Sequence, residues 1–171
     1  MKYYAGIGSR ETPLNILVLM KFIALDLSAA GYTLRSGGAD GADLAFESGT
    51  TQKEIFLPWK GFNNNTSLLF DIPEKAHEIS SVHHPRWQYL REPVKKLMAR
   101  NAQQVLGKNL DSPVEFVICW TPDGCTKGSE RTNTTGGTGQ AISIASAFSI
   151  PVYNLQRELD RQLVEELIEQ I

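Results

Sequence analysis

The chain has 171 residues, 42% of them hydrophobic and 21% charged, enough to close one core and too apolar to stay disordered. A net charge of −2 leaves no global footprint for nucleic acid. No apolar run suits a signal peptide or a bilayer span, so a cytoplasmic chain without a membrane partner is expected. The two cysteines, Cys119 in an apolar run and Cys125 in a polar loop, form neither a C-x-x-C pair nor a metal quartet.

Tyr3 to Ile7 predicts a short buried strand that ends in Gly8-Ser9-Arg10, with Pro13 then opening a helix. Ile16, Leu17, Met20, Ile23, Ala24 and Leu27 recur at helical spacing, and Gly31 closes that helix. Tyr32 to Arg35 is the second strand. It runs into Ser36-Gly37-Gly38-Ala39-Asp40-Gly41, a glycine turn before a helix whose inner face is Ala42, Ala45 and Phe46. Ser36 and Asp40 are placed to cap that helix, leaving its first amides free for an anion. Glu54 to Trp59 is a third strand, ended by Pro58.

Residues 60–72 read as a loop. Pro73 opens a helix through Val82, His83-His84-Pro85 is a turn, and a longer helix runs from Trp87 to Val105. Val114 to Trp120 is the strongest strand in the chain. After it comes a polar loop, Thr121 to Thr135, long enough to act as a binding loop or lid. Gly136-Gly137-Thr138-Gly139 then feeds a small-residue helix from Gln140 to Phe148. Ile150 to Leu155 is the last strand, and Glu158 to Ile171 is an amphipathic helix. Strands alternate with helices, which predicts a Rossmann-like α/β fold: one domain over residues 1–171, with a parallel sheet covered by helices on both faces.

Three glycine turns follow three predicted strands, and in an open parallel sheet such turns gather where ligands bind. None has the lysine of a P-loop, and neither of the first two completes a dinucleotide fingerprint. Arg10, directly beyond the first turn, is the leading basic residue for an anionic ligand. Asp43 is the leading residue for a ribose hydroxyl, with Glu47 on the same helix face. Trp59 and Trp120 sit at strand ends, where they either stack on a base or pack the rim. His83 and His84 are adjacent and lack further ligands, so no metal site is expected.

Gly8-Ser9-Arg10, Ser36 to Asp43, Leu57-Pro58-Trp59 and Gly136-Gly137-Thr138-Gly139 together resemble the SLOG superfamily, in order over about residues 1–155. That group contains LOG-type phosphoribohydrolases, DprA recombination mediators, molybdenum-cofactor carriers and sensor domains for cyclic ADP-ribose signals. The resemblance implies a nucleotide-derived ligand held by Gly8, Ser9, Arg10, Ser36, Gly37, Gly38, Ala39, Gly41, Asp43, Trp59, Trp120, Gly136, Gly137, Thr138, Gly139 and Gln140. LOG-type hydrolases carry P-G-G-x-G-T-x-x-E. Here Thr135 stands for the proline, Gln140 for the threonine and Ser143 for the glutamate that serves cleavage.

Serine cannot replace that carboxylate, so no catalytic residue and no cofactor are assigned, and binding without turnover leads. It would make the protein a sensor, carrier or sequestering protein. A phosphoribohydrolase with a carboxylate relocated to Asp43, Glu47 or Glu130 is one alternative. The other is a DprA-like single-stranded DNA binder using Arg10, Arg35, Lys60, Arg100, Lys127 and Arg131, which the acidic balance disfavours. A homo-oligomer is expected, with the apolar stripe Leu159, Leu163, Leu167 and Ile168 either packed on the domain or exposed as a dimer face.

Overall fold

The computed structural model describes residues 1–171. Five strands form one parallel sheet: β1 (Lys2–Gly6), β2 (Tyr32–Ser36), β3 (Lys53–Ile55), β4 (Phe116–Cys119) and β5 (Val152–Asn154), in the order β3-β2-β1-β4-β5. Six helices link and flank them: α1 (Leu14–Ala29), α2 (Ala42–Glu47), α3 (Glu74–His83), α4 (Glu92–Leu106), α5 (Thr138–Ala147) and α6 (Glu158–Glu169). The chain winds outward from β1 to β3, then returns through α3 and α4 to lay β4 on the other side of β1. The order therefore reverses between β1 and β4, which opens a crevice above their carboxyl ends.

Alternation along the strands divides the interior into two layers. Tyr4, Leu34, Phe116 and Ile118 face α1, α2 and α6, where they meet Met20, Leu27, Phe46 and Val164. Ala5, Val117 and Cys119 face α4 and α5, against Ala102, Val105, Ile142 and Ile144. Both faces are dry, which is why these strands are apolar runs rather than alternating ones. Burial raises the thiol pKa of Cys119. Cys125 is buried as well, and neither cysteine is in a disulfide. No helix is long and apolar enough to cross a membrane.

Several boundaries differ from expectation for local reasons. β3 stops at Ile55; the Phe56 N–H still donates to the Ser36 carbonyl of β2 at 2.9 Å, while on its other side Phe56 bridges to Leu69, the Leu57 N–H donating to the Leu69 carbonyl at 2.8 Å. The helix expected from Trp87 divides into a 3-10 turn, Trp87–Tyr89, and then α4, which carries Pro93 in its first turn where no N–H is needed. The expected caps of α2 do other work. Ser36 Oγ donates to the Gly6 carbonyl at 2.6 Å and Asp40 Oδ1 accepts from Asn63 Nδ2 at 3.0 Å. Gly41 takes the N-cap position at φ 83°, where a Cβ would lie 2.7 Å from Arg10 Cα. On α6, Val164 is buried and Leu167 and Ile168 pack on the core, whereas Leu159 and Leu163 stay exposed.

Candidate functional site

A cleft of about 630 Å³ opens at the crevice between β1 and β4. Gly8, Ser9, Arg10 and Glu11 supply one wall, and Ala39 and Asp43 the floor beside it. Leu97, Met98, Arg100, Asn101 and Gln104 of α4 form the second wall, and Asn133 to Thr138 with Ala141 bring the start of α5 to the third. The first turn is pinned by backbone bonds: the Ile7 N–H donates to Ile118 and the Ser9 N–H to Trp120, each at 3.1 Å. At Gly8 an added Cβ would lie 2.7 Å from the Ala42 Cβ, so the two turns meet in close contact.

Asp43 organises that meeting. Its carboxylate accepts the N–H of Ala39 at 3.2 Å, and the amides of Gly37 and Gly8 lie close enough to favour its charged form. The anion expected at the glycine turns is thus, in part, the chain's own carboxylate. Burial pushes the Asp43 pKa up to about 6, against the opposing pull of Arg100 and of the three amides.

Arg100 reaches the same floor from α4. Burial brings its guanidinium down to about 10, with Asp43 opposing the shift and Arg10 adding to it. Its Nη1 donates to the carbonyls of Gly37 and, at 3.1 Å, Phe56, and its Nε donates to Asn101 Oδ1 at 3.2 Å. No group of the chain accepts from Nη2, although Arg100 is only 5% exposed and lines the cleft. Asn101 Nδ2 donates to the Gly137 carbonyl at 3.2 Å, tying α4 to the third turn.

Of the residues singled out by the sequence, Gly8, Ser9, Arg10, Ala39, Asp43, Gly136, Gly137 and Thr138 line the cleft. Gly37 lies directly behind it, against Arg100 and Gln104, and Gly38 packs against Leu57 and Asn65. Ser36 is buried in its bond to Gly6. Gly139 faces Arg131, and Gln140 is wholly buried, with Nε2 donating to the Ser80 carbonyl at 2.7 Å. Trp59 packs edge-on to Phe62 at 5.4 Å, and Trp120 packs on the sheet core, so neither lines the cleft.

The carboxylates of the cleft are Asp43 and Glu11. Glu47 points elsewhere, accepting from Asn65 at 2.9 Å and pairing with Lys53 at 3.5 Å. Glu130 is held by Thr126, and Ser143 is buried beside Gly128. Among the basic residues, only Arg10 and Arg100 enter the cleft. Arg35 is buried in an ion pair with Glu54 at 2.8 Å, and Arg131 donates to the His83 carbonyl at 2.8 Å. The pKa values of His83 and His84 are lowered by burial and by Arg131. No group of three His, Cys, Asp or Glu side chains is placed to hold a metal ion.

The loop from Thr121 to Thr135 is folded on itself around Asp123. That carboxylate accepts from Thr121 Oγ1 at 2.8 Å, Thr132 Oγ1 at 2.7 Å, Thr135 Oγ1, and the Cys125 N–H at 3.2 Å. Burial alone would raise its pKa, but these donors outweigh burial and push it down to about 2. The loop contributes Pro122, Asn133, Thr134 and Thr135 to the cleft rim, and none of these was singled out as a ligand contact from the sequence.

The fold and the cleft define a Rossmann-like α/β protein with an open cleft at the switch point of its sheet. No protein-family model matches the chain, and no curated protein matches it. Among solved structures it is similar to DNA processing protein A (DprA) from Helicobacter pylori, with a TM-score of 0.56 and 16% sequence identity over 98% of this chain and 73% of that one. DprA belongs to the SLOG group of Rossmann-like proteins, and at this identity the likeness is one of fold. That structure is described for the unique single-stranded DNA binding mode of the Helicobacter protein.

Proposed function

We propose that the cleft binds a phosphorylated, nucleotide-derived small molecule and releases it unchanged. The observation that carries this reading is Arg100, a buried guanidinium whose Nη2 has no acceptor within the chain and which lines the cleft. Nη2 is not sealed from solvent, so it faces the open cleft as a free donor, and an anionic oxygen from a ligand would take it up in a charge-assisted bond. Arg10 adds a second guanidinium at the rim, and the N-terminus of α5 opens into the same space with its dipole positive toward the cleft. Leu97, Met98, Ile7 and Pro122 offer apolar wall for a base or sugar face.

Retention without hydrolysis rests on the carboxylates. Ser143 stands outside the cleft, and Asp43 is engaged with the second glycine turn, accepting the Ala39 N–H at 3.2 Å. Glu11 is at the exposed rim of the cleft.

A second reading is supported by the similarity to DprA: the same cleft would take one nucleotide of a single-stranded DNA. Thermal unfolding in the presence of nucleoside monophosphates, ADP-ribose derivatives and short oligonucleotides separates the two, followed by chromatography of each mixture. Stabilisation by a small nucleotide recovered intact supports the first reading. Free base in the mixture replaces it with a hydrolase. Stabilisation by oligonucleotide alone, fading steeply with salt, replaces it with the DNA reading.

A further inference from the structure

The α1 helix is apolar on two faces. Ile16, Met20, Ile23, Ala24 and Leu27 are buried in the sheet layer. On the opposite side Leu14, Val18, Phe22 and Leu25 remain 76%, 49%, 56% and 54% exposed. A surface helix needs only one apolar stripe, and this second one, stepping by four, four and three residues, runs most of a 16-residue helix about 24 Å long. From this arrangement we propose that α1 is the interface of a two-fold symmetric dimer, its occupant being the α1 of a second copy of this chain, set parallel to the first.

Charge selects both the occupant and the direction. Lys21 lies on one flank of the stripe and Asp26 on the other; both are exposed, and neither forms an ion pair within the chain. With Val18, Phe22 and Leu25 as seam positions, these two residues occupy the flanks that pair charges in parallel two-stranded coiled coils. A two-fold axis along the helices sets opposite flanks together, so each Lys21 meets the partner's Asp26 on both sides of the seam. An antiparallel pairing would set Lys21 against Lys21. A lipid surface would call for a basic rim, but Lys21 is the single basic residue of α1 and Asp26 stands beside it.

Sedimentation velocity on the full chain over a concentration series tests the interface, with circular dichroism to show that each variant is folded. The expected result is a reversible dimer that Phe22→Asp or Val18→Asp converts to monomer and that Leu159→Asp, on exposed α6, leaves intact. Asp26→Lys weakens association about tenfold by facing like charges, and the double exchange Lys21→Asp with Asp26→Lys restores it. A wild-type monomer at every concentration overturns the proposal, as does a dimer that survives both Phe22→Asp and Val18→Asp. A dimer indifferent to Asp26→Lys overturns the parallel arrangement. A monomer that binds anionic lipid vesicles through Phe22 assigns the stripe to a membrane instead.

Discussion

Asp43 and Arg100 meet at the floor of the cleft without forming a direct ion pair, and each is shifted toward neutrality by burial: the carboxyl up to about 6, the guanidinium down to about 10. The two residues come from α2 and α4, on opposite faces of the sheet, and Gly37 joins them. Its amide lies beside Asp43 and favours the charged carboxylate, and its carbonyl accepts from Arg100. The second glycine turn is therefore clamped between an internal anion and an internal cation, and the cation keeps one donor nitrogen in reserve.

The raised pKa of Asp43 has a sign that can be measured. Between its ordinary value of 3.8 and about 6 the folded chain retains a proton that the unfolded chain releases. Stability from this group is therefore full below about pH 4, falls as pH rises toward 6, and is flat above. Relative to Asp43→Asn, which does not titrate there, the wild type should lose about 3 kcal/mol of unfolding free energy across that window, from roughly two pKa units at 1.36 kcal/mol each. Urea unfolding at a series of pH values gives this directly. A difference that does not change with pH would show that the carboxyl titrates normally.

Arg10 is exposed and lines the rim, so removing it should leave the fold alone. Arg10→Ala is expected to weaken binding of a phosphorylated ligand by about tenfold to a hundredfold, the worth of a charge-assisted hydrogen bond, with Tm unchanged. Isothermal titration alongside a melting curve separates the two effects. Unaltered affinity would remove Arg10 from the site.

At Gly37 a methyl group would lie 2.6 Å from Arg100 Nη1 and closer still to Gln104. Gly37→Ala should displace the guanidinium, reduce ligand affinity at least about tenfold and lower stability by about 1–3 kcal/mol through overpacking. Gly31→Ala provides the contrast. Gly31 sits at φ +86° with open space around it, so the change should cost about 1 kcal/mol of stability through the backbone and leave binding intact.

Asp123 behaves oppositely to Asp43. Its pKa is depressed to about 2, so the stability it lends is complete above its ordinary value of 3.8 and is lost as pH falls toward 2. Asp123→Asn should cost about 1–2 kcal/mol at neutral pH, after allowance for solvent at this half-buried site. It should also increase amide exchange in residues 121–135, which hydrogen-exchange mass spectrometry reads. Unchanged exchange would mean that the three threonine hydroxyls hold the loop among themselves.

The sheet and its helices were legible because they rest on short-range periodicity. Val114 to Cys119 reads as a buried strand, and Ile16 to Leu27 as a helix with an inner face, from spacing alone. The glycine turns were legible too, since Gly8, Gly41 and Gly136 adopt positive φ that other residues avoid. What those turns hold was not legible. Ser36 reads as a cap but stitches β2 to β1, and Asp43, which lines the cleft, also accepts the Ala39 N–H of its own turn.

Arg100 shows the limit most clearly. In the sequence it is one basic residue late in a helix, able to reach a phosphate or to cap the helix, with nothing to choose between the two. Its place in the cleft depends on the return of α4 across the sheet, which brings residue 100 to Gly37 and Phe56, 63 and 44 positions earlier. The tryptophans follow the same logic in reverse: strand ends brought them to the correct edge of the sheet, and packing against Phe62 and the core turned them from the cleft. By itself the sequence determined where the chain turns and which faces are dry, because those depend on backbone sterics and local hydrophobic spacing. Only the tertiary structure decided which charges share a pocket, because that depends on contacts between distant segments, and burial sets the pKa of each.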